Sequence, residues 1–252
     1  MKTILEVKDL TKTFATEGKA DLTAIDHIHF RLSQGETLGI VGESGSGKST
    51  LARAITRLID VTEGSILLCG EDITREKGKK LREAYKNIQM IFQNPVSSFD
   101  PRKSLGHGIG ESLRNSGVPK EEAKKRVLEL LGQCGLPKEF YDRYPHEVSG
   151  GQCQRAAIAR ALAVKPKIVI CDEATSALDV TVQQQIMELL DSFRKEHQIS
   201  YLFICHNLAL VQQFCDRVLV MKDGRIVEEG TPDEVILNPR DEYTKMLVES
   251  VF

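Results

Sequence analysis

The chain has 252 residues, 41% hydrophobic and 28% charged, which suits one large globular domain, or a domain with a subdomain, around a sizeable core. The 34 Lys and Arg against 36 Asp and Glu give a net charge of −2, so nothing in the overall balance asks for nucleic acid as a partner. Apolar runs such as Ile199-Ser200-Tyr201-Leu202-Phe203-Ile204-Cys205 fall far short of a membrane span, and Glu6, Lys8 and Asp9 break up any signal peptide, so a cytosolic chain is expected.

Residues 4–10 alternate apolar and polar as a half-buried strand does, and residues 25–32 repeat the pattern before Gly35. Phe14 is expected on a polar loop between them that runs through Gly18 and Lys19, where an aromatic is ordinarily a local packing residue.

The run Leu38-Gly39-Ile40-Val41 leads into Gly42-Glu43-Ser44-Gly45-Ser46-Gly47-Lys48-Ser49-Thr50, and the helix-like Leu51-Ala52-Arg53-Ala54-Ile55 follows. This is G-x-x-x-x-G-K-[ST] between a strand and a helix, the context that gives the pattern meaning. Its glycines let the backbone close round an anion at the mouth of a helix, where unpaired N–H groups and the dipole favour phosphate. Lys48 would reach the β- and γ-phosphates and Ser49 would sit on Mg²⁺. The bland alternative is a Gly/Ser connection that binds nothing. Kinases, GTPases and motor ATPases share the loop, so it points to a nucleoside triphosphate without naming the reaction.

Residues 64–70 read as a strand closed by a turn, and the mixed charges of residues 75–86 as a solvated face. The apolar run of residues 88–92 leads to Gln93-Asn94-Pro95, after which Pro101, Gly106, Gly108 and Gly110 change the texture. Residues 121–131 have period-3.6 apolar spacing, and residues 96 to about 160 read as a helical insertion in an α/β domain. The core takes about 1–95 and 161–230, with a short helical tail over 231–252.

Lys167-Ile168-Val169-Ile170-Cys171 closes on Asp172 and Glu173, as a buried parallel strand would, with the carboxylates at the edge where α/β sheets bind ligands. Asp172 can hold the Mg²⁺ hydration shell, and Glu173 can orient or deprotonate a water. Helix capping is the plainer role for the pair. His206, after the run of residues 201–205, could contact a γ-phosphate at the same edge or be incidental. The six cysteines show neither C-x-x-C nor metal-ligand spacing and read as reduced thiols, several of them in the core.

Tyr144-Pro145-His146-Glu147-Val148-Ser149-Gly150-Gly151-Gln152, with Gln154-Arg155-Ala156-Ala157-Ile158-Ala159-Arg160-Ala161-Leu162 after it, closely resembles the signature of ATP-binding cassette (ABC) ATPases. Ser176-Ala177-Leu178-Asp179 is similar to that family's D-loop. The resemblance spans nearly the whole chain. It implies a P-loop (RecA-like) α/β core with an antiparallel β subdomain and an inserted α-helical signature subdomain. In such proteins the signature of one subunit, here Ser149 to Gln152, closes over ATP held by the other subunit's phosphate loop. By the same resemblance Phe14 stacks on adenine, Gln93 touches Mg²⁺ and water and senses a transmembrane partner, and Glu173 is the catalytic base. His206 contacts the γ-phosphate and Asp179 links the two nucleotide sites.

Val148, Cys153, Ala174 and Asn207 depart from the usual residues; the first two could alter interface packing, while Asn caps a helix as well as the usual Asp. Gln93-Asn94-Pro95, Asp100-Pro101-Arg102 and Tyr243-Thr244 are similar to the peptide/nickel importer subgroup. That likeness implies two ATPase subunits, identical or homologous, two transmembrane permeases, an extracytoplasmic binding protein and a peripheral place on the cytoplasmic face of the membrane. The cargo would be peptides, nickel or metal–chelator complexes. An ATPase subunit of a soluble assembly, such as the carbon–phosphorus bond cleavage machinery, is the alternative.

Overall fold

The computed structural model describes residues 2–15, 18, 21–175 and 178–250. β1 (Thr3–Phe14) and β2 (Leu22–Ser33) pair antiparallel. β1 buries Leu5, Val7 and Leu10. The odd step from Val7 to Leu10 is taken up by a register shift and by Asp9 at φ 46°. Phe14 is the last residue of β1, paired with Leu22, and does not stand on a loop. The strand runs past the alternating stretch because β2 offers ladder partners out to Leu22. Lys19, part of the loop expected there, lies outside the described residues.

The chain then crosses into a second sheet through β3 (Thr37–Val41) and α1 (Lys48–Ile55), and returns to the first through β4 (Glu63–Leu68) and β5 (Glu71–Asp72). The first sheet has the order β2-β1-β4-β5. α2 (Gly78–Ala84) lies within the charged stretch, buries only Ala84 and so remains the solvated face the charges suggest. β6 (Ile88–Ile91) follows.

Next come α3 (Leu105–Ile109), α4 (Glu111–Asn115), α5 (Lys120–Gln133) and α6 (Gly150–Leu162). α5 turns Ala123, Val127 and Leu131 inward, the i, i+4, i+8 stripe of its sequence, onto the alanine-rich face of α6. β7 (Ile168–Asp172), α7 (Val180–His197), β8 (Ser200–Ile204), α8 (Leu208–Phe214), β9 (Arg217–Lys222) and β10 (Arg225–Gly230) complete the second sheet. Its order is β10-β9-β3-β8-β7-β6, parallel except for β10. All five residues of β3, β7 and β8 are buried, as expected of parallel strands covered on both faces. The parallel strands all end at one edge, so the loop after β3 and the residues closing β6, β7 and β8 gather there.

α9 (Pro232–Leu237) and α10 (Glu242–Glu249) end the described chain. Glu228 of β10 ties them down by accepting the N–H groups of Arg240 and Asp241, each at 3.0 Å. All six cysteines are free thiols, and all but Cys69 are buried. Among the described residues no helix is long and apolar enough to cross a membrane.

Candidate nucleotide site

Residues 42–47 join β3 to α1. Gly42 (φ 148°) and Gly47 (φ 101°) adopt backbone that L side chains rarely adopt. A Cβ on Gly42 would stand 2.1 Å from the Met221 carbonyl oxygen, and one on Gly47 2.3 Å from that of Ala24. The loop is thus pressed between β9 and β2, and Gly224 fastens it by donating its N–H to the Ser46 carbonyl at 3.1 Å. Glu43, Ser44 and Gly45 are exposed at its crest, Ser46 and Lys48 are buried, and Ser49 and Thr50 are half-buried.

The Lys48 ammonium donates to the carbonyls of Gly42 (2.7 Å) and Glu43 (2.6 Å) and to the Ser46 hydroxyl (3.1 Å). Burial pulls its pKa down, opposed by the charges of Glu173 and Asp172. A buried cation held by three neutral oxygens is electrostatically under-compensated, and a phosphate at the crest would supply what it lacks.

At the next two strands the acidic pair takes its place. The Ser49 hydroxyl donates to Asp172 Oδ1 at 2.9 Å. Burial raises the Asp172 pKa, the Ser49 bond works against that, and the charge of Glu173 adds to it. A hydroxyl beside one carboxylate is a donor set that suits Mg²⁺, which keeps several waters and shares its shell with substrate phosphates. Among the described residues no group of three or more His, Cys, Asp or Glu could hold a metal alone.

Glu173 has left-handed backbone (φ 49°), and its N–H donates to the Ile204 carbonyl at 3.0 Å. The chain therefore turns away one residue after β7 ends, and the side chain meets Gln93, whose Nε2 donates to Glu173 Oε2 at 2.6 Å. His206 stands exposed two residues beyond β8 on the same edge. Phe14 is 38% exposed with the Lys12 ammonium 4.8 Å from its ring centroid. Its partner Leu22 is two residues along β2 from Ala24, the residue that abuts Gly47.

Ser149 caps α6 in a capping box: its hydroxyl accepts the Gln152 N–H at 3.3 Å, and Gln152 Oε1 accepts the Ser149 N–H at 3.0 Å. Ser149 and Gly150 are exposed, and Gly151 lies so close to α7 that a Cβ would meet Val182 Cγ1 at 3.0 Å. Asp179 caps α7, accepting the Val182 N–H at 3.0 Å. Two helix N-termini therefore open side by side. Ser176 and Ala177 lie outside the described residues.

The departures have local explanations. Cys153 is fully buried and Val148 packs on the same cluster, so Cys153 fills the core behind α6 and does not face a partner. Ala174 is also buried. Asn207 caps α8, its Oδ1 accepting from Ala209 (3.0 Å) and Leu210 (3.3 Å).

Two contacts had no counterpart in the sequence reading. Arg160 of α6 donates to the carbonyl and the hydroxyl of Ser98 and lies over the Phe99 ring, clamping the segment that follows Gln93. Tyr243 of α10 accepts the Glu43 N–H at 2.8 Å. Tyr243 was visible only as half of a Tyr-Thr pair and Arg160 as one residue of the signature helix; neither pattern signals a partner far away in the chain.

A phosphate loop at the carboxyl edge of a parallel sheet, with an acidic pair facing it, makes this a P-loop nucleoside triphosphatase. The chain belongs to the ABC transporter family, whose model matches residues 25–176. It is 46% identical to an oligopeptide transport ATP-binding protein of Salmonella typhimurium, over 99% of this chain and 78% of that protein. It is 41% identical to a di/tripeptide transport ATP-binding protein of Pseudomonas aeruginosa, over 99% of this chain and 79% of that one. A bacterial ABC transporter cassette solved as a dimer superposes with a TM-score of 0.84 at 30% identity, covering 91% of this chain and 99% of that one. The chain is an ATP-binding subunit that hydrolyses ATP.

Proposed function

We propose that this ATPase energises a peptide importer from the cytoplasmic face of the membrane. It would pair with a second cassette subunit, dock on two transmembrane permeases, and serve an extracytoplasmic binding protein through them. The cargo is inferred from the peptide transport relatives. The mechanism rests on one observation above the rest: one chain presents a phosphate loop and, separately, the exposed capped opening of α6 at Ser149. The first would hold ATP, and the second would face the ATP of the neighbouring subunit.

In this reading Gly42 to Thr50 cradle the phosphates, Lys48 exchanges its loop carbonyls for β- and γ-oxygens, and Phe14 stacks on adenine. Ser49, Asp172 and Gln93 would hold Mg²⁺, which would neutralise charge on the phosphates. Glu173 takes the proton of the attacking water, with Gln93 fixing its carboxylate, while His206 bonds the γ-phosphate. Ser149, Gly150, Gly151 and Gln152 close from the partner side, and Asp179 joins the two sites. Residues 96–160 act as the lever between Gln93 and the permeases.

The test is Glu173→Gln in the full chain, alone and with any homologous ATPase subunit that co-purifies with it. ATP binding should persist, turnover should fall by about 10²- to 10⁴-fold, and a nucleotide-bridged dimer should accumulate. Undiminished hydrolysis would remove Glu173 from its role. Co-purification with integral membrane proteins tests the transport setting, and recovery only with soluble partners would refute it.

A further inference from the structure

Both backbone groups of Glu43 are gripped. Its carbonyl accepts the Lys48 ammonium at 2.6 Å, and its N–H is taken by the Tyr243 hydroxyl at 2.8 Å. Tyr243 is 4% exposed and lies 200 residues further on. Tyr243 is itself held on several sides. Asp241 caps α10 by accepting the Tyr243 N–H at 2.8 Å, the Lys222 ammonium sits 5.0 Å from the ring centroid, and Glu228 holds the two amides just before the helix. Phe would fill the same volume and keep the cation–π contact, so only the hydroxyl distinguishes Tyr at this position.

We propose that Tyr243 is a positioning residue of the nucleotide site. Its hydroxyl fixes the Gly42–Glu43 peptide and so presets the crest of the phosphate loop from which Lys48 turns to meet phosphate. Without this anchor the Gly42–Glu43 peptide is held only through its Gly42 carbonyl by the Lys48 ammonium, the donor that phosphate would draw away, and nucleotide binding must then order it. The contact also makes α10 responsive to the loop: whatever shifts the crest pulls on the last helix of the described chain.

This inference rests on reading residues 42–50 as the phosphate loop, and the experiment separates the two. Full-length wild type, Tyr243→Phe and Lys48→Ala are compared by titration with a fluorescent ATP analogue, by thermal unfolding with and without ADP, and by hydrogen exchange at the Glu43 amide. Tyr243→Phe should weaken nucleotide binding by roughly three- to tenfold, the worth of one partly buried hydrogen bond. Its ADP-induced rise in melting temperature should shrink, and the Glu43 amide should exchange faster. Glu228→Gln, which loosens α10 and leaves Tyr243 in place, should move all three readouts in the same direction by less. A purely structural role would lower the unliganded melting temperature and leave the ADP-induced increment and the affinity intact, and that result would overturn the proposal. Unchanged affinity in Lys48→Ala would overturn the phosphate-loop reading itself. Lost affinity in Lys48→Ala with wild-type affinity and exchange in Tyr243→Phe would sink the proposal alone.

Discussion

Replacing Arg160 with Ala removes the clamp between the signature helix and the segment after Gln93. Three contacts go: the guanidinium's bond to the Ser98 carbonyl, its 3.0 Å bond to the Ser98 hydroxyl, and its stacking 4.4 Å from the Phe99 ring centroid. A hydrogen bond from a charged donor contributes about 1.5–3 kcal/mol and a partly desolvated cation–π contact about 1–2 kcal/mol. Against this, burial disfavours the cation and lowers its pKa, so part of the loss is returned when the charge leaves. The net cost is about 2–4 kcal/mol, which for a chain of this size is a drop of roughly 5–15 °C in melting temperature. Thermal unfolding of the nucleotide-free full chain measures it. Arg160→Lys should recover less than half, because an ammonium cannot reproduce the planar fork or the stacking. An alanine variant melting within about 1 °C of wild type, the range of an ordinary surface substitution, would refute this account of how α6 is held to the Gln93 segment.

Other outcomes follow from single contacts. Asn207→Ala should cost about 1 kcal/mol of stability by uncapping α8, whereas Asn207→Asp should be near neutral in the same melt. Gly47→Ala places a methyl against the Ala24 backbone at a φ of 101° and should abolish tight nucleotide binding in an equilibrium titration. For Glu228, burial pushes its pKa up, but hydrogen bonds including those from the Arg240 and Asp241 amides outweigh that and leave it below its ordinary value. A depressed folded pKa gives stability that is present above the unfolded value near 4.5 and is lost as pH falls through the folded one. Proteolytic nicking of the 231–250 segment should therefore increase below about pH 4.5 in wild type and vary less with pH in Glu228→Gln.

What could be read from sequence was what neighbouring residues declare together. The phosphate loop shows itself because glycine spacing, lysine and the flanking strand and helix are consecutive, whereas Ser149 and Asp179 entered through family resemblance and their capping bonds came from the structure. The β7 run was legible because a strand buried on both faces is apolar throughout. Gln93 and Glu173 meet across 80 residues, and only the β6-β7 pairing brings them together. Family resemblance gave each a role at the nucleotide site, but neither it nor any local pattern named the contact between them. Phe14 was misplaced because Thr11, Lys12 and Thr13 look like loop, while the ladder to β2 holds them extended. Tyr243 and Arg160 act on backbone groups, which every residue possesses, so their partners leave no trace in residue type.

The distribution of the thiols has a practical consequence. Burial pushes Cys134 and Cys205 up to about 12 and Cys153 up to about 11, and it raises Cys171 and Cys215 as well. All five stay protonated and shielded at neutral pH, and Cys69 alone reaches the surface. A Cys69→Ser chain would therefore be silent to maleimide. A cysteine then placed at exposed Val180 would carry the only dye, and under the proposed pairing of two cassettes a change in its emission on ATP addition would follow their closure.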